Sequence, residues 1–177
     1  MKTVSLILSC LLAILCSALP LVGSADDKAE LIKLARSAGP AAISDKATIV
    51  YQGEVLVEGS NGWTCGPEVM PGDKSPHCSD KTWMELMKAA GEKSEFSPKT
   101  IGISYMLAGD GVGVSNTDPY HHDPVNAEDY VREGPHIMLV VPREMLQGIT
   151  DNPGQGGPYV MWKDTPYAHI MVPITGD

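Results

Sequence analysis

Apolar and polar positions alternate with two periods along this chain, and the switches between them mark its elements. Over 28–38 the apolar residues Ala29, Ile32, Leu34, Ala35 and Ala38 recur at roughly helical spacing, and Gly39-Pro40 ends the run. Residues 47–52 and 54–58 are β-rich runs on either side of Gln52-Gly53, which predicts a hairpin. A second helix is expected over about 79–91. Ser79 or Asp80 caps it, Trp83, Leu86, Met87 and Ala90 form its apolar stripe, and Gly91 closes it.

The period then shortens to two. Strands are predicted at 101–108, 136–142, 159–162 and 168–174, with short helices near 127–131 and 143–147. A polar loop at about 109–126 is longer than most connections in a compact domain, a length often associated with function. Strands outnumber helices and consecutive strands tend to be neighbours. The expected fold is therefore α+β: a mostly antiparallel sheet of about five or six strands with two principal helices packed on it. No internal repeat or domain boundary interrupts it.

The first 25 residues obey a different pattern. Lys2 precedes an apolar stretch from Val4 to about Leu19, Pro20 breaks it, and Gly23-Ser24-Ala25 places small residues before the polar Asp26-Asp27. That order predicts a cleavable secretory signal over 1–25, and a single domain over 26–177 that is periplasmic or secreted. Beyond it no apolar run is long enough to span a bilayer. The whole chain has a net charge of −9, and losing Lys2 makes the remainder more negative. Nucleic acid and anionic membrane would repel it. Of four cysteines, Cys10 and Cys16 fall in the signal, which leaves Cys65 and Cys78 as an expected disulfide.

One internal echo carries the candidate chemistry. His136-Ile-Met-Leu-Val-Val-Pro142 and His169-Ile-Met-Val-Pro173 each begin with His and place Met two residues on. Alternation along a strand puts His136 and Met138 on one face and Ile137 and Leu139 on the other, and it separates His169 and Met171 from Ile170 and Val172. The aliphatic face is expected to be the core. Three readings of the His/Met face stand open. It can be plain packing, with each imidazole at a strand end bonded to a backbone carbonyl and the methionines filling gaps beneath a helix. It can be a pocket for a small molecule or peptide, formed by His136 and His169 with Tyr105, Tyr159 and Trp162 and rimmed by the 109–126 loop. It can be a copper site of His136, Met138, His169 and Met171, because imidazole and thioether ligands suit that metal. An enzyme of hydrolase type, with histidine as general acid or base, is the further alternative. His121-His122-Asp123 is a weaker candidate metal cluster. No Gly-x-Ser-x-Gly or His-Glu-x-x-His pattern occurs.

The segments Asn61-Gly-Trp-Thr-Cys65, Ser115-Asn-Thr-Asp-Pro119, Gly134-Pro-His-Ile-Met138 and Gly157 through Pro173 together resemble a group of small exported bacterial proteins of uncharacterised function. The resemblance implies a bacterial periplasmic or secreted setting and implies no activity. The residues themselves point to a protein that binds a ligand through the face around His136 and His169.

Overall fold

A computed structural model describes residues 25–174; the expected signal lies outside them apart from its last residue, Ala25. The helices are α1 (Ala25–Ser37), the single turn α2 (Ala41–Ser44) and α3 (Lys81–Glu92). The strands are β1 (Thr48–Tyr51), β2 (Glu54–Val57), β3 (Thr64–Gly66), β4 (His77–Ser79), β5 (Gly102–Met106), β6 (Val114–Ser115), β7 (Tyr130–Val131), β8 (His136–Val140), β9 (Tyr159–Met161) and β10 (His169–Pro173). Eight strands form one sheet in the order β2-β1-β3-β4-β5-β8-β10-β9, and β6 pairs with β7 apart from it. Every neighbouring pair is antiparallel except β1 and β3. The fold is α+β, with a larger sheet than the sequence pattern indicates. Among the described residues no helix is long and apolar enough to cross a membrane.

The hairpin forms as expected. Gln52 and Gly53 both have positive φ, 48° and 82°, the pair of values that a tight turn between right-twisted strands requires. The extra strands come from β3 and β4, each three residues long and too short to show a period. Their register places Cys65 directly opposite Cys78, and the two form the expected disulfide. The helix anticipated at 127–131 is absent. A short 3-10 turn at Pro124–Asn126 precedes β7, where Tyr130 and Val131 pair with Ser115 and Val114.

Alternate residues of β5 belong to two different cores. Met106 packs with Trp83 and Leu86 of α3, whereas Tyr105 packs with Trp63, Cys65 and Ala35 of α1. The two principal helices therefore lie on opposite faces of the sheet, α1 over β1, β3 and β4, and α3 over β5 and β8.

The position of α3 is set by one carboxylate. Asp80 Oδ1 accepts the N–H of Trp83 (2.8 Å) and caps the helix, while Oδ2 accepts the N–H of Ile103 on β5 (2.9 Å). The backbone N–H of Asp80 donates in return to the Ile103 carbonyl (2.9 Å). Beside it Gly102 lets the helix approach. A Cβ there would come within 2.9 Å of the Trp83 nitrogen and 2.7 Å of Val140. The helix ends at Lys93, in the left-handed region at φ 54°, not at Gly91.

This placement reverses the expected core. On β8 the buried residues are His136, Met138 and Val140, while Ile137 and Leu139 are half-buried. On β10 His169 and Met171 are buried, and Ile170 and Val172 are half-buried. The His/Met face is interior because α3 covers it with Trp83, Leu86 and Ala89. Replacing Asp80 with alanine is expected to cost about 2–3 kcal/mol, more than the ~1 kcal/mol of an ordinary cap, because Ile103 loses its acceptor too. Urea denaturation measures this. A loss below about 1 kcal/mol would show that packing alone seats the helix.

Candidate functional site

Strand pairing arranges the interior face in rows. Met106 lies opposite His136, Met138 opposite Met171, and His169 opposite Met161. All six side chains are buried. The two Met residues of the middle row sit between the two histidines. Pro173 lies opposite His136 and is four positions from His169 on its own strand, a separation of about 13 Å along the sheet. The two imidazoles thus flank a methionine pair and are not directly opposed.

Both histidines adopt the same local geometry. His136 Nδ1 bonds the Gly134 carbonyl (2.8 Å), and His169 Nδ1 bonds the Tyr167 carbonyl (2.9 Å). A carbonyl only accepts, so each Nδ1 carries the hydrogen. Each Nε2 is then a bare lone pair, and both are buried with no hydrogen-bond partner. Leaving such an acceptor unmade costs about 1–3 kcal/mol. The His169 ring stands edge-on to both Trp83 and Trp162, with centroids 5.1 Å away in each case. Burial holds His169 down at about 4, although its bond to the Tyr167 carbonyl opposes the shift.

The other expected members divide. Tyr159 belongs to the same buried cluster, and its hydroxyl donates to Glu133 Oε1 (2.9 Å). Trp162 packs against that cluster with φ 52°, a left-handed backbone unusual for so bulky a residue. Its indole N–H donates to the Ser115 carbonyl (2.9 Å) and ties β9 to the 109–126 segment. Tyr105 does not join them. Alternation turns it to the α1 side, where it packs on Trp63 with centroids 5.6 Å apart. A general acid–base role needs a carboxylate or hydroxyl on an imidazole nitrogen. Neither histidine has one, since each Nδ1 serves a backbone carbonyl. Near His136, Asp110 accepts the N–H of Glu133 (2.8 Å), and burial raises its carboxyl above the usual range.

His121 and His122 stack on each other with centroids 5.2 Å apart. Among the described residues no three His, Cys, Asp or Glu side chains gather as metal ligands.

A cleft of about 520 Å³ opens between the C-terminal end of α3 and two loops. Tyr120 and Tyr167 form its aromatic walls, edge to face at 6.1 Å. Their hydroxyls anchor the loops, Tyr120 donating to the Ala90 carbonyl (2.8 Å) and Tyr167 to that of Ser94 (2.9 Å). Lys93 places its ammonium 4.6 Å from the Tyr120 ring centroid. Glu95, Asp118 and Asp164 also line it. The cleft is linked to the interior face, because the Tyr167 carbonyl that holds His169 belongs to its wall. It draws on residues near 93, 118 and 165, and no single stretch of sequence announces it.

His77 is a further residue that sequence reasoning passed over. Its Nδ1 shares a hydrogen bond with Ser79 Oγ (3.1 Å), which meets Ser104 Oγ (2.8 Å). The pattern His-x-Ser on one strand is the signal for that chain. Both serines are fully buried, so neither is open to a substrate. His77 itself borders a second cavity of about 240 Å³ beside the disulfide. Comparison with known proteins returns no match, whether to a family model, a curated protein or a solved structure.

Burial lowers His77 from 6.5 to about 4. Above pH 6.5 it is neutral in both native and unfolded chains and adds no pH dependence. Between about 6.5 and 4 the unfolded chain takes up a proton that the native one refuses, so stability falls as pH falls, by about 3 kcal/mol in all. Urea unfolding between pH 7.5 and 4.5 is expected to show this slope. In His77→Asn it should be shallower by up to about 1.4 kcal/mol per pH unit. Identical slopes would mean that other groups account for it.

Proposed function

We propose that this chain is an exported binding protein whose ligand is a small organic cation, held in the Tyr120–Tyr167 cleft. The observation that carries the reading is the Lys93 ammonium over the face of Tyr120. An aromatic face attracts a cation through its quadrupole, by about 0.5–2 kcal/mol depending on exposure. Lys93 already occupies the place that a ligand ammonium would take. Three carboxylates, Glu95, Asp118 and Asp164, stand against that one lysine, so the lining favours a second positive charge over a negative one. A volume of about 520 Å³ lies within the usual range for small-molecule sites.

Binding is an exchange. The incoming ammonium displaces Lys93 from Tyr120, and the freed lysine turns to solvent or to a neighbouring carboxylate. Tyr120 stays protonated near neutral pH, its hydroxyl pushed up to about 12 by partial desolvation and by the neighbouring Tyr167. The two hydroxyl anchors, one on the last turn of α3 and one on Ser94 just beyond it, keep both rings in place while the ligand comes and goes. His169 acts from behind by holding the Tyr167 backbone, and its ring is not exposed to the ligand. Export is supported by the charged, apolar and small-residue order of the first 25 residues, and the Cys65–Cys78 bridge suits an oxidising compartment.

Isothermal titration of the chain with choline, with putrescine and with the uncharged carbon analogue of choline tests this. The two cations should bind and the neutral analogue should not. Tyr120→Leu should weaken cation binding at least about tenfold, equivalent to ~1.4 kcal/mol, and Asp118→Asn should weaken it less. Equal binding of charged and uncharged ligands, or an unaffected Tyr120→Leu, would rule out the cleft as a cation site.

A further inference from the structure

We infer that the interior His/Met face is a site for a soft monovalent metal ion, copper(I), held by the thioethers of Met138 and Met171 and by His136 Nε2. This site is separate from the cleft and does not depend on it.

Three observations converge. Two imidazoles on one buried face each keep a bare Nε2 without a partner, and an unmatched buried acceptor calls for an occupant. Each has its other nitrogen tied to a backbone carbonyl, at 2.8 Å for His136 and 2.9 Å for His169. That is the arrangement by which proteins fix a metal-binding imidazole in the tautomer with Nε2 free. Finally, the pairing of β8 with β10 sets Met138 directly opposite Met171, with Cβ atoms about 5 Å apart. His136 is two residues from Met138 on the same face and diagonal to Met171, and Met106 stands opposite it on β5. Three methionines thus stand at neighbouring positions of the same buried face as His136.

The donor set selects the ion. Neutral sulfur and nitrogen donors in a dry interior suit a soft ion of single charge. A divalent ion costs more to desolvate and prefers carboxylate or thiolate ligands, and the six side chains of these rows are all His or Met. Cys65 and Cys78 are joined in a disulfide among the α1-side core. His136 is preferred to His169 because Asp110 and Glu133 stand on its side of the face. Asp110 accepts the N–H of Glu133, three residues before His136, and Glu133 is bonded to Tyr159, the residue opposite Met171. Their negative charge offsets that of the ion. His169 instead lies 5.1 Å from Trp83 and from Trp162, and Trp83 shares the buried cluster of Met138 and Met171, which makes tryptophan emission a reporter of occupancy. Both imidazoles draw on the same methionine pair, so the face holds one ion.

The test uses the chain under anaerobic, reducing conditions that leave the disulfide intact, with copper(I) delivered as its bathocuproine disulfonate complex. The chain is expected to withdraw one equivalent of copper(I) and to lose part of its tryptophan fluorescence. Met138→Leu/Met171→Leu keeps volume and apolarity, so it should fold with a melting temperature within a few degrees of the parent. It should fail to compete for copper. His136→Asn should weaken retention at least about tenfold, while zinc(II) should show no comparable uptake by the parent. If the parent takes no copper(I), or if the folded double variant takes it equally well, the inference is wrong. Silver(I), which has the same charge and softness without redox chemistry, should give the same ranking of variants, and a different ranking would also overturn it.

Discussion

One carboxylate holds the architecture of this protein together. Asp80 accepts an N–H from α3 with one oxygen and an N–H from β5 with the other. Capping alone would define the start of the helix. The second bond fixes where that start sits on the sheet. Gly102 then permits a backbone approach that a side chain would forbid. Once the helix is seated there, Trp83, Leu86 and Ala89 close over β5 and β8, and which residues of β8 and β10 are interior follows from alternation. The burial of two histidines and four methionines is thus a consequence of a polar contact at the edge of the helix.

That constraint explains which parts of the molecule were legible in sequence. The Gln52-Gly53 hairpin was, because two positive-φ residues between β-rich runs admit few other structures. The stripe of α3 was, because Trp83 and Leu86 recur at helical spacing. The division of β8 and β10 into His/Met and aliphatic faces was also correct. Its assignment was not, since aliphatic side chains are the more usual core and only the position of α3 decides between the faces. Tyr105 was misplaced for a related reason: its strand is buried on both sides by different helices, so its neighbours in sequence belong to a different core. The strands β3 and β4 were hidden because three residues of mixed Thr, Cys, Gly, His and Ser carry no period. The Tyr120–Tyr167 cleft was invisible for a different reason, since its parts meet only through the fold.

The cleft and the interior face share a wall. Tyr167 presents its ring to the cleft and its carbonyl to His169. Tyr120 reaches back to the last turn of α3 and Tyr167 to Ser94 just beyond it, and Asp80 secures the first turn of the same helix. Trp162 joins β9 to Ser115 and closes the edge of the His169 enclosure. The helix therefore serves both environments: its start covers the soft donors, and its end supports the aromatic walls. An open, negatively charged cleft suits a ligand that exchanges freely. A sealed face of neutral donors suits an ion that is retained.

Central to this account is the orientation of the two buried imidazoles, with Nδ1–H spent on the backbone and a bare, buried Nε2. Nitrogen-15 NMR of histidine-labelled protein at pH 7.5 reads this directly. The account predicts that both His136 and His169 are protonated at Nδ1 and unprotonated at Nε2, the reverse of the tautomer that free histidine prefers. Finding the proton on Nε2 of either ring would contradict it.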